Sequence, residues 1–231
     1  METKIYEFES GVRRAARAGA EVLVIIDALR ASATVCALVS RGGRVHPFPK
    51  LEDALAKREL GWLVAAEVGA ERAPGADLDN SPSGVLALDE NKIRGKDIAL
   101  STTNGSRLMA AAMAVAVDGK VKVFVGSFVN ATVLSDSLKT LGPASVALIA
   151  AGRSDERAIE DYVCAQYLNA LLTNDRATAE FLHANFYDAM LTAYPDIEER
   201  GLLPDVKLCL QPDSIPAVPR LQEDAFSMPD R

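Results

Sequence analysis

Short apolar runs alternate with longer amphipathic stretches along most of this chain, and that alternation restricts the fold more than any other feature. The runs are Glu21–Ile26, Arg44–Phe48, Trp62–Ala66, Asp97–Leu100, Val121–Val125 and Ser145–Ala150. Most read as successive Val, Ile, Leu and Ala rather than as apolar–polar alternation, the pattern of strands covered on both faces. Between them lie predicted helices at Ala31–Ser40, Leu51–Leu60, Pro82–Asp89, Gly105–Val117, Ala131–Leu141 and Glu156–Thr173. The order predicts an α/β protein, a three-layer αβα fold around a mostly parallel sheet. Lys4–Phe8 is placed as an edge strand and Arg176–Arg200 as helical with a break at Pro195. Asp205–Leu210 is read as one more strand, and the Pro- and charge-rich tail from Gln211 as a surface wrap.

A length of 231 residues fits one α/β domain. A faint repeat runs through it. Asp27-Ala28-Leu29-Arg30-Ala31-Ser32 aligns with Ser127-Phe128-Val129-Asn130-Ala131-Thr132, and Leu63–Glu67 with Leu148–Gly152. Two similar half-domains, about 20–100 and 121–210, around a shared cleft would explain this. The competing reading is that all strand-to-helix turns look alike.

The net charge of −7 argues against nucleic acid as a main partner, because phosphate backbones need clustered Lys and Arg. No apolar run approaches the ~20 residues of a membrane span, and Met1-Glu2-Thr3-Lys4 lacks a signal-peptide layout. Cys36, Cys164 and Cys209 are sparse and widely separated, as expected of reduced, buried thiols in a cytoplasmic protein. With only His46 and His183, histidine-based phosphoryl transfer and His-rich metal sites have little to work with.

Each predicted strand tends to end in a small polar cluster. In open α/β sheets ligands collect at the strand C-termini, where new helices offer unpaired N–H groups to an anion. Asp27 ends the run Val22–Ile26, and a carboxylate there can hold Mg²⁺ directly or through water. Arg30, three residues on, offers a bidentate clamp for phosphate or carboxylate, with Ser32 and Thr34 as hydroxyl donors. The alternative is that Asp27 caps the helix and Arg30 pairs with it. Glu67 occupies a similar strand end and is a second metal candidate. Asp79, a third, precedes Asn80, Ser81 and Pro82, where Ser81 is the natural N-cap and Pro82 suits the first turn.

Thr102, Thr103, Asn104 and Gly105 open an Ala-rich helix, and Gly105 allows close backbone approach to an anion. Ser127 and Asn130 repeat the theme. Arg153 supplies a further anion clamp, and Glu160 and Asp161 supply acid/base or metal groups unless they form a solvated face. A Walker loop, an Asp-x-Asp motif after Asp27, a cysteine-phosphatase spacing after Cys36 and an Arg-His-Gly triplet are all absent. Metal-assisted attack by water, with Asp27, Glu67, Glu160 and Asp161 as the acidic groups, fits these residue types best.

Taken together, these stretches resemble the 2-phosphosulfolactate phosphatase family. The matching pieces are Ile26–Ser32, Asp77–Pro82, Thr102–Gly105, Gly126–Asn130, Ala151-Gly152, Glu160–Ala165 and Val206–Leu210 with Asp213 and Val218-Pro219. The resemblance implies a cytosolic, Mg²⁺-dependent phosphomonoesterase that converts 2-phosphosulfolactate to sulfolactate and phosphate, a step towards coenzyme M. The implied partner is a small anionic phosphorylated substrate, with no membrane or nucleic acid involved and a homodimer left open. The alternatives are a phosphatase of another 2-phospho hydroxy acid, or a non-catalytic binder of a small organic anion. Two departures bear on the substrate. The family usually carries Gly-Glu-Arg where this chain has Ala66-Glu67-Val68, so a cation is lost from the rim unless Arg72 replaces it. The family also tends to have Gly where Asp79 stands.

Overall fold

The computed structural model describes residues 1–153, 156–193 and 197–229. Ten strands, β1 (Glu2–Glu7), β2 (Val22–Ile26), β3 (Arg44–Pro47), β4 (Leu63–Val68), β5 (Glu71–Arg72), β6 (Asp97–Ser101), β7 (Lys122–Val125), β8 (Ser145–Ala150), β9 (Arg220–Gln222) and β10 (Ala225–Ser227), form one sheet. Its order is β1-β8-β2-β7-β9-β10-β3-β6-β4-β5. Pairing is parallel from β1 to β7 and again from β3 to β4. The helices are α1 (Phe8–Arg17), α2 (Ala31–Ser40), α3 (Leu51–Ala56), α4 (Pro82–Ala87), α5 (Gly105–Val115), α6 (Ala131–Leu141), α7 (Ile159–Leu172), α8 (Arg176–Ala193) and α9 (Leu203–Cys209).

The three layers follow from the pleat. Successive side chains of a strand face opposite sides. In β2, Leu23 and Ile25 pack with α1, α2 and α5, whereas Val22, Val24 and Ile26 pack with α6, α7 and α8. Every residue of β2 is buried, which explains its unbroken apolar sequence. A smaller cluster covers β4 and β6 with Ala54 of α3.

Two C-terminal expectations are corrected. Residues 205–209 belong to α9 and Leu210 caps it: Val206, Cys209 and Leu210 are buried while Lys207 is exposed, a 3.6-residue period that so short an apolar run conceals. The tail does not wrap the surface. Its last strands, β9 and β10, form a hairpin with a two-residue turn and enter the middle of the sheet, antiparallel to β7 on one side and to β3 on the other. Phe226 is fully buried there. Three successive antiparallel pairings mean that β3, β6 and β4 run opposite to β7, β2 and β8. The rim expected from a single parallel sheet is thus built from the ends of two opposed sets of strands. Helix α1 was not anticipated, and Pro195 lies outside the described residues. Strand β2 sits between β8 and β7, so one parallel set mixes strands of the segments 20–100 and 121–210, whereas β3, β6 and β4 all come from the first segment.

Candidate functional site

The strand ends surround a cavity of about 480 Å³, within the usual range for a small-molecule site. From the strand-end motifs, Asp27, Arg30, Glu67, Asn80, Thr102, Thr103, Asn104, Arg153, Glu160 and Asp161 line it. Ser32, Asp79, Ser81, Gly105, Ser127 and Asn130 are not part of the lining.

Asp27 is the focus. It is buried at the end of β2, where the N-termini of α2 and α5 meet. The Ala31 N–H donates to its Oδ1 at 3.3 Å. A methyl group on Gly105 would stand 2.7 Å from its Oδ2 and 2.5 Å from the Ala31 Cβ, so this approach requires glycine. Burial, reinforced by the charges of Glu160 and Glu67, raises the Asp27 carboxyl to about 6, although the N–H groups of Ala31 and Gly105 pull the other way. Ser32 serves this turn from behind, accepting from the Asp27 N–H at 2.9 Å.

The other acids are positioned by backbone donors. Asp161 accepts from Ala28 N at 2.7 Å and from Gly152 N at 2.9 Å, clamping the loops after β2 and β8 together. Burial, then the charges of Asp27 and Glu160, push its carboxyl well above the ordinary range. Glu67 accepts from Thr103 N and Oγ1, each at 2.8 Å, and from Ala70 N at 2.7 Å. Glu160 is buried beside Arg153, with 3.5 Å between charged atoms.

Arg30 is turned towards protein partners. Its Nη1 donates to Asp205 at 2.7 Å and its Nη2 to the Ala70 carbonyl at 3.0 Å, with Asp79 at 3.8 Å. Burial, opposed by Arg30, raises the Asp79 carboxyl. Asp205 also accepts from Ser81 Oγ at 2.9 Å and Ser83 N at 3.0 Å, while Ser81 caps α4 by accepting from Gly84 N. Sequence reasoning missed Asp205, because it fell inside a supposed strand.

The second strand-end motif does structural work. Ser127 N donates to Asn130 Oδ1, and Asn130 Nδ2 donates to the carbonyls of Val125 and Ala217 at 3.1 and 2.8 Å. Thr102 and Ser106 cap α5 reciprocally. Val68 is 58% exposed at the end of β4 and, like Arg72, does not line the cavity. The far wall comes from Ile197, Arg200 and Leu202, in a segment that carried no recognisable motif, and from Val206, the first residue of the stretch Val206–Leu210 singled out in the sequence. The three thiols are buried, and burial pushes each upward, which removes them as nucleophiles.

Among the described residues, no three His, Cys, Asp or Glu side chains are grouped to enclose a metal ion. A Mg²⁺ ion, which keeps its waters, would need only one or two carboxylates together with substrate oxygens. The lining offers hard oxygens for it. The charges of Glu160 and Glu67 both act on Asp27, and the buried Oδ1 of Asn80 has no hydrogen-bond partner. No helix of the described chain is long and apolar enough to cross a membrane.

Comparison with known proteins finds phosphatases. The chain is 28% identical over 215 residues to a probable 2-phosphosulfolactate phosphatase of Thermotoga petrophila, covering 88% of this chain and 90% of that protein. It is 29% identical to a probable 2-phosphosulfolactate phosphatase of Thermus thermophilus, covering 87% and 88%. It is 31% identical to the 2-phosphosulfolactate phosphatase of Methanothermobacter thermautotrophicus, covering 68% and 63%. The family model for 2-phosphosulpholactate phosphatase matches residues 10–224, and with the acids of β2, β4 and α7 gathered at one cavity, the chain belongs to that family of phosphoric monoester hydrolases.

Proposed function

We propose that this protein hydrolyses 2-phosphosulfolactate to sulfolactate and inorganic phosphate in a Mg²⁺-dependent reaction. The family match over residues 10–224 carries this reading, and the acidic cavity supplies the chemistry. Asp27 and Glu67 are the carboxylates that would hold Mg²⁺. When bound, the cation would offset charge on the phosphoryl oxygens.

The chain's own groups do the rest. Asp161 fixes the loops after β2 and β8 through its two N–H partners, which holds Asp27 and Glu160 in place. Thr103 and Ala70 orient Glu67. Glu160 is close enough for its charge to raise the Asp27 carboxyl, and we assign it the proton of the attacking water. The water oxygen bonds to phosphorus as the ester P–O bond breaks, and the departing alkoxide takes up a proton to give the hydroxy acid. Burial of Asp27, Glu160 and Asp161 strengthens these interactions.

A phosphate-release screen over 2-phosphosulfolactate and other phosphorylated hydroxy acids, with and without Mg²⁺, tests the proposal. Release from 2-phosphosulfolactate that EDTA abolishes is expected. No release with Mg²⁺ present would overturn the activity, and EDTA-resistant release would overturn the metal requirement.

A further inference from the structure

Among the described residues, the buried Oδ1 of Asn80 is the only unpartnered polar side-chain atom that belongs to the cavity lining. Asn80 as a whole is 5% exposed. A buried acceptor without a donor is destabilising, and native chains keep one where something outside the chain supplies the partner.

The backbone fixes where this side chain stands. Ala65 of β4 and Leu78 form a parallel bridge. Asp77 N and Leu78 N donate to the Val64 carbonyl at 2.9 Å each, and Ala66 N donates to the Leu78 carbonyl at 3.1 Å. Two residues beyond the bridge stand Glu67 on β4 and Asn80 on the neighbouring segment, at the same end of the pair, and both line the cavity. The residues flanking Asn80 are tied to a buried brace instead. Asp79 Oδ1 accepts from Asn80 N at 2.6 Å, and the Asp79 carboxylate lies 3.8 Å from Arg30. Ser81 Oγ donates to Asp205 at 2.9 Å. The groups of the lining nearest in role to Asn80 are acceptors too. Glu67 takes two donors from Thr103 on Oε1 and only Ala70 N on Oε2, which leaves room on Oε2 for a further partner. Asp27 Oδ1 accepts from Ala31 N at 3.3 Å and carries the influence of the Glu67 charge. Carboxylate oxygens and an amide carbonyl, all hard acceptors at one cavity, find a common partner in a divalent cation.

We propose that Asn80 supplies, through Oδ1, a neutral oxygen ligand to the divalent cation that Asp27 and Glu67 would hold. This rests on the Mg²⁺-dependent reading above. It also revises the place of the third ligand: the sequence offers Asp79, but Asp79 faces Arg30 and it is the next side chain that reaches the cavity. A neutral third oxygen suits a site that must also admit a phosphate ester, since a third carboxylate beside the cation would repel it.

Metal binding to the full chain tests it without turnover. Mn²⁺ is titrated with and without inorganic phosphate, the free ion is read by electron paramagnetic resonance, and Mg²⁺ is added as competitor. Asn80→Ala is expected to raise the Mn²⁺ Kd at least ~10-fold, since even groups that only orient metal ligands are worth ~10- to 100-fold. Asn80→Asp should bind within ~3-fold of wild type or tighter, because a carboxylate oxygen takes the same place. The gain in melting temperature on adding Mg²⁺, measured within each protein, removes any change in packing from the comparison. Wild type and Asn80→Asp should both gain, and Asn80→Ala should gain less. Equal Mn²⁺ affinity or equal gain in wild type and Asn80→Ala overturns the assignment and leaves Asp27 and Glu67 as the ligands. Asn80→Asp binding as weakly as Asn80→Ala overturns it too. If the wild type binds Mn²⁺ but releases no phosphate from the ester, the activity is wrong while the titration still decides Asn80. If the wild type binds neither ion, with or without phosphate, the metal requirement and this assignment fail together.

Discussion

The turns after β2 and β7 start from similar sequences and end in opposite roles. Asp27–Ser32 and Ser127–Thr132 each follow a buried strand, and each leads into a helix through small and polar residues. After β2, the carboxylate of Asp27 is left facing a cavity at the N-termini of α2 and α5. After β7, the same space is filled by the chain itself. Asn130 binds the Ala217 carbonyl, and Asp213 accepts from Thr132 N at 2.8 Å at the start of α6. A strand-end turn is therefore a place where polar groups can be satisfied, and the C-terminal segment decides which turn is left for a ligand. The segment also reaches the first turn, through Asp205 on Arg30, but braces it without covering it.

The sharpest way to break the contrast is to remove the group that makes the first turn different. Asp27→Asn should lower turnover by ~10³ or more while the protein remains folded. Its stability should move the other way. A carboxyl raised to about 6 binds protons more readily folded than unfolded, so its contribution is greatest below the ordinary carboxylate pKa and is lost as pH rises through 6. At pH 7.5 the variant should therefore melt no lower than wild type, and the gap should close by pH 4.5. The same group sets the acid limb of wild-type activity, which should fall below about pH 6. Added Mg²⁺ should move that limb to lower pH, because cation and proton compete for the carboxylate. An acid limb insensitive to Mg²⁺ would show that Asp27 does not hold the ion.

Much of the architecture was legible from local sequence. β2, β6 and β8 are unbroken apolar runs because both faces are covered, and their boundaries fall within a residue or two of expectation. Strand-end position was also enough to draw Asp27, Glu67, Thr102 and Glu160 towards a common cavity. The rest depends on partners distant in sequence. Arg30 has the chemistry of a phosphate clamp, and nothing within its own turn reveals that Asp205, 175 positions later, takes its Nη1. Asn130 looks like a ligand donor until the Ala217 carbonyl arrives. The hairpin of β9 and β10 is too short and too charged at its turn to announce a central position, yet it closes the gap between opposed strands. Arg200 sits among charged residues with no strand to mark it.

The bracing carboxylate of the first turn supplies the next test. Asp205→Ala leaves the buried guanidinium of Arg30 without its closest partner and α4 without an acceptor for Ser83 N. Breaking a buried pair in this way costs about 3–5 kcal/mol. Denaturant unfolding should show that loss, and KM should rise as the Ala70 turn loosens. The corresponding change at the second turn is milder. Asn130→Ala removes two donors and one acceptor from a neutral site, and about 1–3 kcal/mol of stability should go with them. Its kcat should stay within ~2-fold of wild type, since none of these bonds reaches the cavity. A large kcat loss in Asn130→Ala would show that the two turns are functionally coupled rather than divided between ligand and chain.

The smallest expected effect concerns Val68, where a resemblance to relatives invites the restoration of an arginine. In β4 the side chains of Glu67 and Val68 face opposite sides, and it is Glu67 that lines the cavity. Val68 is 58% exposed, so Val68→Arg meets no packing cost and should leave stability within about 0.5 kcal/mol of wild type. A guanidinium there is surrounded by water and screened by salt, and exposed charges of this kind contribute about 0–1 kcal/mol. KM for 2-phosphosulfolactate should therefore change by less than ~5-fold at physiological salt. A change in KM of about tenfold or more would show that position 68 reaches the bound substrate after all.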